Sequence, residues 1–480
     1  MNIRNKQFKN KVLIVLLLLI SLFTLTSCKK TKTIDNVIAI GYLKDDIYLI
    51  NSNNECLLLE GYDLIQDSLS NYMYVRKDNK YGYIDIHGKE IIEPTYTKAY
   101  AMNEGKAVVI SDGKYVIINS EGKKLYTLPN NIVSNSYFSN NKLLVEKAGK
   151  YGYITFNPEN NSFNLPGEFI YDYASAYSEG FAVVGLETQV KANEGALPTT
   201  SVKFNYLDTN NKVLFPEYQF DEAEPFKNGL AKAGVFTEDV AVSGVDYAPG
   251  VTLPIRYYDM VVYNYIKPDG SYLIDQATDE PLECHYGIYP YDGVITTAIT
   301  KYFNVDGYEK NLFKSYSFYT TEGEKLYESC FTYSSFNNTN VFWPTNMVSY
   351  GPHHFFAYGK QSISWSLLIG VDGDLDFTKL PITVNLQEKW VNELSNEYFL
   401  TKEMVKMHSE SPFYVSDIFR SAYAKDTRPL MITQISFNNN SKYGIIQFNY
   451  DEELAKEAEE TTDAYSAYYI IPPIYDRIVF

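Results

Sequence analysis

Short runs in which apolar and polar positions alternate recur along most of the chain, each closed by a turn residue. Residues 80–113 hold one full copy. Tyr83-Ile84-Asp85-Ile86 alternates as a strand does, and His87-Gly88 makes a turn. Glu90-Ile91-Ile92-Glu93 forms a second strand closed by Pro94, and after Gly105 comes a third, Lys106-Ala107-Val108-Val109-Ile110. Three short strands with glycine turns cannot bury a face alone, so the copies are expected to pack on one another.

Aligned on the opening of the first strand, the copies begin at Tyr48, Tyr83, Ile117, Tyr153, Tyr206, Tyr265, Phe318, Leu367 and Ile445. Turns often carry Gly88, Gly122, Gly270, Gly323 or Gly373. The first steps are about 35 residues and later ones about 50–75, which marks insertions. The second half of the unit also recurs. Phe215 to Ala231 is its fullest copy, matched by Ile170-Tyr171-Asp172 with Ser178 to Ala182, and by Ile470 to Asp476 at the chain end.

Lys80-Tyr81-Gly82-Tyr83-Ile84-Asp85, Lys150-Tyr151-Gly152-Tyr153-Ile154 and Lys442-Tyr443-Gly444-Ile445-Ile446 resemble the opening of bacterial WG-repeat proteins. Those read Lys-Trp-Gly-Tyr-Ile-Asp, a Gly turn, Val-Ile-Pro-Pro-x-Tyr-Asp and a Gly-Leu-Ala-x-Val strand. Tyr stands in the Trp place, and several openings lack the Gly. The resemblance runs over most of residues 40–480 and implies a β-repeat body without assigning a chemistry.

The phase of the ends bears on architecture. Residues 470–480 correspond to a second strand with no third after it, and residues 36–41 look like a lone third strand before the first opening. A ring closed by strands from both ends satisfies both and removes exposed edges. The expected fold is therefore all-β: tandem three-stranded repeats in a propeller-like ring of about seven to nine units. An open β-solenoid with atypical end caps is the alternative.

The N-terminus reads differently. Arg4, Lys6, Lys9 and Lys11 precede an apolar run, Val12 to Phe23, and Leu25-Thr26-Ser27-Cys28 follows. A basic segment, a short apolar one and small residues make a secretory signal, too short for a span of about 20 residues. Leu-x-Ser-Cys resembles the lipobox of bacterial lipoproteins, which implies a diacylglycerol on Cys28. The expected segments are a signal at 1–27, a lipidated polar tether at 28–36 and a repeat body at 37–480. The body then lies on the extracytoplasmic face of the cell membrane. An uncleaved anchor is the alternative.

Composition narrows the class. The 480 residues include 45 Tyr and 27 Phe against 3 Trp, which suits strands and turns. A net charge of −17 argues against nucleic acid, which needs a basic face. Cys56, Cys284 and Cys330 remain besides Cys28. Cys284 and Cys330 either pair or sit in the core as small residues.

Candidate chemistry is sparse. Leu386, Trp390, Leu394 and Tyr398 fall four apart, predicting an amphipathic helix over about 385–408, with a further turn or two from Asp417 to Tyr423. This partly helical insertion, about 385–425, either covers the sheet or docks a partner. Residues 451–460 read as a short acidic helix, and 188–203 and 236–262 as loop-like insertions. In the recurring Tyr62-Asp63, Tyr171-Asp172, Phe220-Asp221, Tyr291-Asp292 and Tyr475-Asp476 the Asp is read as organising the turn after the second strand, since a catalytic pair is needed once. Residues 372–376 alternate acids, but Phe377 and Thr383 stand where a calcium loop wants Gly and Glu. The five histidines, His87, His285, His353, His354 and His408, show no metal-ligand spacing. No nucleophile elbow, Walker loop or dinucleotide fingerprint occurs. No cofactor, metal or catalytic residue is expected.

The reading is a lipid-anchored scaffold binding envelope proteins or cell-wall glycans. A glycan-active hydrolase with its site on the inserted loops is the alternative, and a mechanical surface adhesin a third. Tyr286 to Tyr291 and Tyr350 to Tyr358 are the densest aromatic clusters for a contact surface.

Overall fold

The computed structural model describes residues 29–480 apart from 67–70, 191–198, 247–253, 292–293, 306–307, 329–341, 352–353, 362–363, 372–373, 381–390, 393–394, 396–400, 403, 405–413, 420–429, 438–439, 451–464 and 480. Cys28 and the segment before it lie outside the described residues, as do the expected helix at 451–460 and most of that at 385–408. Val391, Asn392, Ser395, Lys402 and Met404 have helical backbone. The later part of that insertion departs from expectation. Tyr414–Phe419 is a strand, antiparallel to Leu430–Phe437, because long-range pairing outweighs a weak local helical period.

The body is all-β, in nine mainly antiparallel sheets of three to five strands and one two-stranded ribbon among the described residues. The second sheet sets the type: Leu64–Gln66, Tyr72–Lys77, Lys80–Asp85 and Glu90–Tyr96 lie side by side. The third repeats it with Lys98–Ala99, Lys106–Ser111, Lys114–Asn119 and Lys124–Thr127. The unit thus has four strands, not three. The three strands read in sequence are split between neighbours, two ending one sheet and the third entering the next. The strand that sequence reading missed is two residues long in the third sheet, too short to show alternation.

All nine predicted openings lie on strands, the third strand of each sheet. In the first copy the register is one residue off. Asn51 takes the place of Asp85: its Oδ1 accepts from Asn53 N at 3.0 Å and Glu55 N at 2.9 Å, as Asp85 Oδ1 accepts from His87 N and Lys89 N. Leu49, not Tyr48, therefore matches Tyr83. A run of apolar residues, Ile47 to Ile50, hides the alternation that would have fixed this.

Successive sheets pack face to face. Tyr83 and Ile92 of the second sheet meet Ala107, Val109 and Val116 of the third, while the neighbouring Ile84 turns back toward Leu49 and Ile40 of the first. Val108 and Ile117 of the third then meet Leu143 and Ile154 of the fourth. The same exchange continues through Tyr153 to Val184, Tyr206 to Ala231, and Tyr265 to Ile295. Each buried side chain of this size contributes about 1.5–3 kcal/mol, so the interfaces between sheets carry the core.

The two ends of the chain meet in one sheet. Arg477–Val479 pairs antiparallel with Val37–Leu43, with Ile40 opposite Val479 and Tyr42 opposite Arg477. The stretch expected as a tether is partly packed. Lys29–Lys30 pairs parallel with Glu55 and Cys56, Ile34 is buried, and His87 Nδ1 lies 2.9 Å from Ile34 O. Cys284 is a free buried thiol, so it is not paired with Cys330, and Cys56 is disulfide-bonded to a partner outside the described residues.

Candidate functional site

The recurring aspartates build the joints between sheets. Asp172 N donates to Gly185 O at 2.9 Å, Asp172 accepts from Lys150 Nζ of the fourth sheet, and its Oδ2 accepts from Glu187 N of the fifth at 3.0 Å. Asp221 repeats each bond one sheet on, with Gly234 O, Lys203 Nζ at 2.5 Å and Phe236 N at 2.8 Å. Asp476 repeats them between the ninth sheet and the first. Its N donates to Tyr42 O at 2.8 Å, Lys442 Nζ donates to Oδ1 at 2.9 Å and Lys44 N to Oδ2 at 2.7 Å. The sequence reading assigned these aspartates to their own turn; they bond across to the neighbouring sheet instead, through the Lys that opens Lys150-Tyr151-Gly152, Lys203-Phe204-Asn205 and Lys442-Tyr443-Gly444. Asp63 keeps the backbone bond, to Arg76 O, and pairs with Arg76 Nε.

Tyrosines pin the same joints. Tyr83, Tyr153 and Tyr206 donate their hydroxyls to Tyr100 O, Ser175 O and Glu224 O, one sheet further on, at 2.8–3.0 Å. Burial pushes Tyr83 and Tyr153 well above the ordinary phenol range, so these hydroxyls act as fixed donors.

The joint carboxylates give a pH dependence. The hydrogen bond from Lys150, then that from Glu187 N, holds Asp172 below the usual range. Burial pushes Asp476 up, but Lys44 N and Lys442 together outweigh it and the net shift is downward. A folded pKa below the unfolded value of about 3.9 gives stability that is whole above that value and lost as pH falls through the folded one. Calorimetry is expected to show a melting temperature flat from neutrality to about pH 5 and falling below about pH 4. Asp172→Asn is expected to melt lower at neutrality and to show a shallower acid limb.

One region departs from the repeat beyond these joints. Sheets two to four close their central hairpins with two-residue turns, such as Asp112-Gly113, both with positive φ. In the fifth sheet pairing runs out to Val190 opposite Thr199, in the sixth to Val242 opposite Arg256, and in the seventh to Val305 opposite Tyr308. The described residues of the insertions at 188–203 and 236–262, expected as loops, are therefore largely strand. Gly244–Asp246 beyond the sixth-sheet ribbon pairs parallel with Tyr302 to Asn304 of the seventh.

The sixth-sheet ribbon exposes apolar side chains. Phe236 is 52% exposed, Ile255 57% and Tyr257 62%. Residues 255, 257, 259 and 261 share a face by the two-residue period, and Phe236 and Ala241 lie opposite Val261 and Tyr257. Glu238, Asp239 and Asp259 are exposed beside them, and Asp259 Oδ1 accepts from Asp239 N at 3.1 Å. Sequence reading missed this surface because its signal, Tyr257, Asp259 and Val261 alternating, sits beside Gly244 and Pro249, which read as loop.

The other candidates separate. His285 Nδ1 accepts from Thr300 N at 2.8 Å, and burial lowers its pKa, so that nitrogen is occupied. Among the described residues no group of three or more His, Cys, Asp or Glu stands together to hold a metal. His353, His408, Asp292 and Asp372 lie outside the described residues. Tyr286–Tyr291 and His354–Gln361 are strands.

These features define an all-β repeat protein whose sheets are joined by a recurring clasp. The family model of the WG containing repeat matches residues 81–115, 168–187 and 206–240, so the chain carries WG-containing repeats over those segments. The first and last of these begin on the third strand of one sheet and end in the next, the same offset described above. No curated protein matches. A structure of Kluyveromyces lactis Hsv2p aligns over 85% of this chain and 97% of its own, at 8% identity and a TM-score of 0.30. A S. cerevisiae structure of Dbp5 bound to Nup159 and Gle1 aligns over 72% of this chain and 99% of its own, at 10% identity and a TM-score of 0.24. At these scores the likeness carries no argument, and the fold rests on the sheet topology.

Proposed function

We propose that this chain is a lipid-anchored scaffold on the extracytoplasmic face of a bacterial cell membrane, binding envelope proteins or cell-wall glycans through a closed, propeller-like ring of nine sheets. One observation carries the ring: the joint from ninth sheet to first, Lys442–Asp476–Lys44 N, has the same bonds as the internal joints at Asp172 and Asp221. An open solenoid has no reason to keep them there. A rigid closed ring with protruding ribbons suits display of a surface. A hydrolase would need a carboxyl held in its acid form; the joint carboxylates Asp172 and Asp476 are held the other way by their lysine and backbone donors.

The anchor reading rests on the basic and apolar run before Cys28. A thioether on Cys28 leaves its sulfur no disulfide, so the anchor and a Cys28–Cys56 bond exclude each other. Cells fed an alkyne-tagged palmitate are expected to label the chain, and Cys28→Ser is expected to abolish both label and detergent-phase partitioning. A non-reducing peptide map should show no Cys28–Cys56 peptide. An unlabelled wild-type chain, or a Cys28–Cys56 peptide, would sink the anchor.

A further inference from the structure

We infer that the exposed face of the sixth-sheet ribbon is a docking surface for a polypeptide segment that alternates apolar and basic side chains. The inference rests on the scaffold reading above and names the site and the partner class within it.

Phe236, Ile255 and Tyr257 project from one face of a two-stranded ribbon that has left the packed sheets behind. Inside the repeat, residues of this kind are buried against the next sheet, as Val183 and Tyr206 are. On the ribbon they meet water instead, and exposed aromatic side chains are the usual anchors of a contact. The charge around them selects the occupant. Asp259 lies on the face with Glu238 and Asp239 beside it, three acids against the one base Arg256, and the chain as a whole carries −17. A second copy of the same ribbon would set these carboxylates against themselves, and an anionic wall polymer would be repelled. A segment with apolar side chains at every second position fits the two-residue spacing of Ile255, Tyr257 and Val261, and basic residues between them meet the acids.

The order of the sheets supports presentation. In a closed ring of nine, the sixth sheet is five joints from the first one way and four the other, as far as any sheet can be. The ribbon then stands on the far side from the strand that follows Cys28, clear of the lipid surface.

The test uses the full-length chain and three fluorescent decapeptides: alternating Lys-Phe, alternating Glu-Phe and alternating Lys-Ser. Anisotropy is expected to show saturable binding of Lys-Phe alone. Tyr257→Ser with Phe236→Ser is expected to weaken it at least tenfold without moving the melting temperature. Ile170→Ser, an exposed apolar residue off the ribbon, is expected to leave it unchanged. The triple reversal of Glu238, Asp239 and Asp259 to Lys is expected to switch preference to Glu-Phe. Equal binding of Lys-Phe and Glu-Phe, or insensitivity to the ribbon variants, would overturn the proposal. A photo-crosslinker placed at Tyr257 and, separately, at Ile170 in cells keeps the two readings apart. Cross-links to polypeptide from Ile170 alone leave the scaffold standing and sink the ribbon; cross-links from neither position sink both.

Discussion

Tyr475→Ala is expected to lower the free energy of unfolding by about 3–5 kcal/mol, as much as removing an aromatic from the middle of the chain. Tyr475 is fully buried five residues from the C-terminus. Its ring stands edge-on to Tyr48, 6.2 Å between centroids, and fills the space over Gly41, where a Cβ would come within 2.6 Å of it. The side chain therefore belongs to the packing between the last sheet and the first. Tyr206→Ala, at the joint between the fifth and sixth sheets, is the internal standard. If the ends only touched, fraying would make Tyr475 dispensable at under about 1 kcal/mol. The paired Phe variants sharpen the comparison. Tyr475 Oη is buried without a hydrogen-bond partner among the described residues, so Tyr475→Phe is expected to be neutral or slightly stabilising. Tyr206 Oη donates to Glu224 O at 3.0 Å and Lys232 O at 3.3 Å, so Tyr206→Phe is expected to cost about 1–2 kcal/mol. Urea titrations with unchanged slope read all four values.

The second large effect concerns the glycine of the Lys-Tyr-Gly opening. A Cβ on Gly82 would lie 2.3 Å from Ile92 O and 2.7 Å from Pro94 N. On Gly444 it would lie 2.6 Å from Ile471 O and 2.7 Å from Pro473 N. At both places the pairing register shifts, as the strand that carries the proline bulges onto the glycine. The obstacle is backbone, which no rotamer change relieves. Gly82→Ala and Gly444→Ala are each expected to cost about 2–3 kcal/mol through overpacking. Gly105 is the control. It has φ of 68° and no atom within 4 Å of a Cβ position, so its replacement by Ala costs backbone strain of about 1–2 kcal/mol. Gly105→Asn is expected to recover much of that loss, because Asn tolerates a left-handed φ, whereas Gly82→Asn is not. Equal behaviour of the two glycines would show that the close approach at Gly82 does not matter.

The strand-rich repeat was legible because alternation and turn residues are local. Tyr83-Ile84-Asp85 and Tyr206-Leu207-Asp208 each announce a strand and the Asx-type turn after it, and the openings at Tyr83, Ile117, Tyr206, Tyr265 and Phe318 all precede that turn by the same step. The meeting of the chain ends was legible as well, since residues 36–41 and 470–480 supply complementary parts of one unit. What stayed hidden depends on neighbours. Lys98–Ala99 is held by Ile110 and Val109 rather than by its own pattern. The partners of Asp172 and Asp221 lie 15 to 22 residues away in sequence, on two different sheets, so spacing alone pointed to the turn. The ribbon beyond Val235 was masked by the glycine and proline beside it. Tyr414–Phe419 takes its strand from Leu430–Phe437, which no helical window contains.

The account stands most directly on the closing joint, and amide hydrogen exchange measures it. The amides of Lys44 and Asp476 are donated to Asp476 Oδ2 and Tyr42 O, as those of Glu187 and Asp172 are donated to Asp172 Oδ2 and Gly185 O. Peptides covering residues 40–45 and 474–480 are expected to be protected to the same degree as those covering 172–187, and to open with them. Exchange of the last residues at the rate of unstructured chain, with the internal joints still protected, would contradict a closed ring.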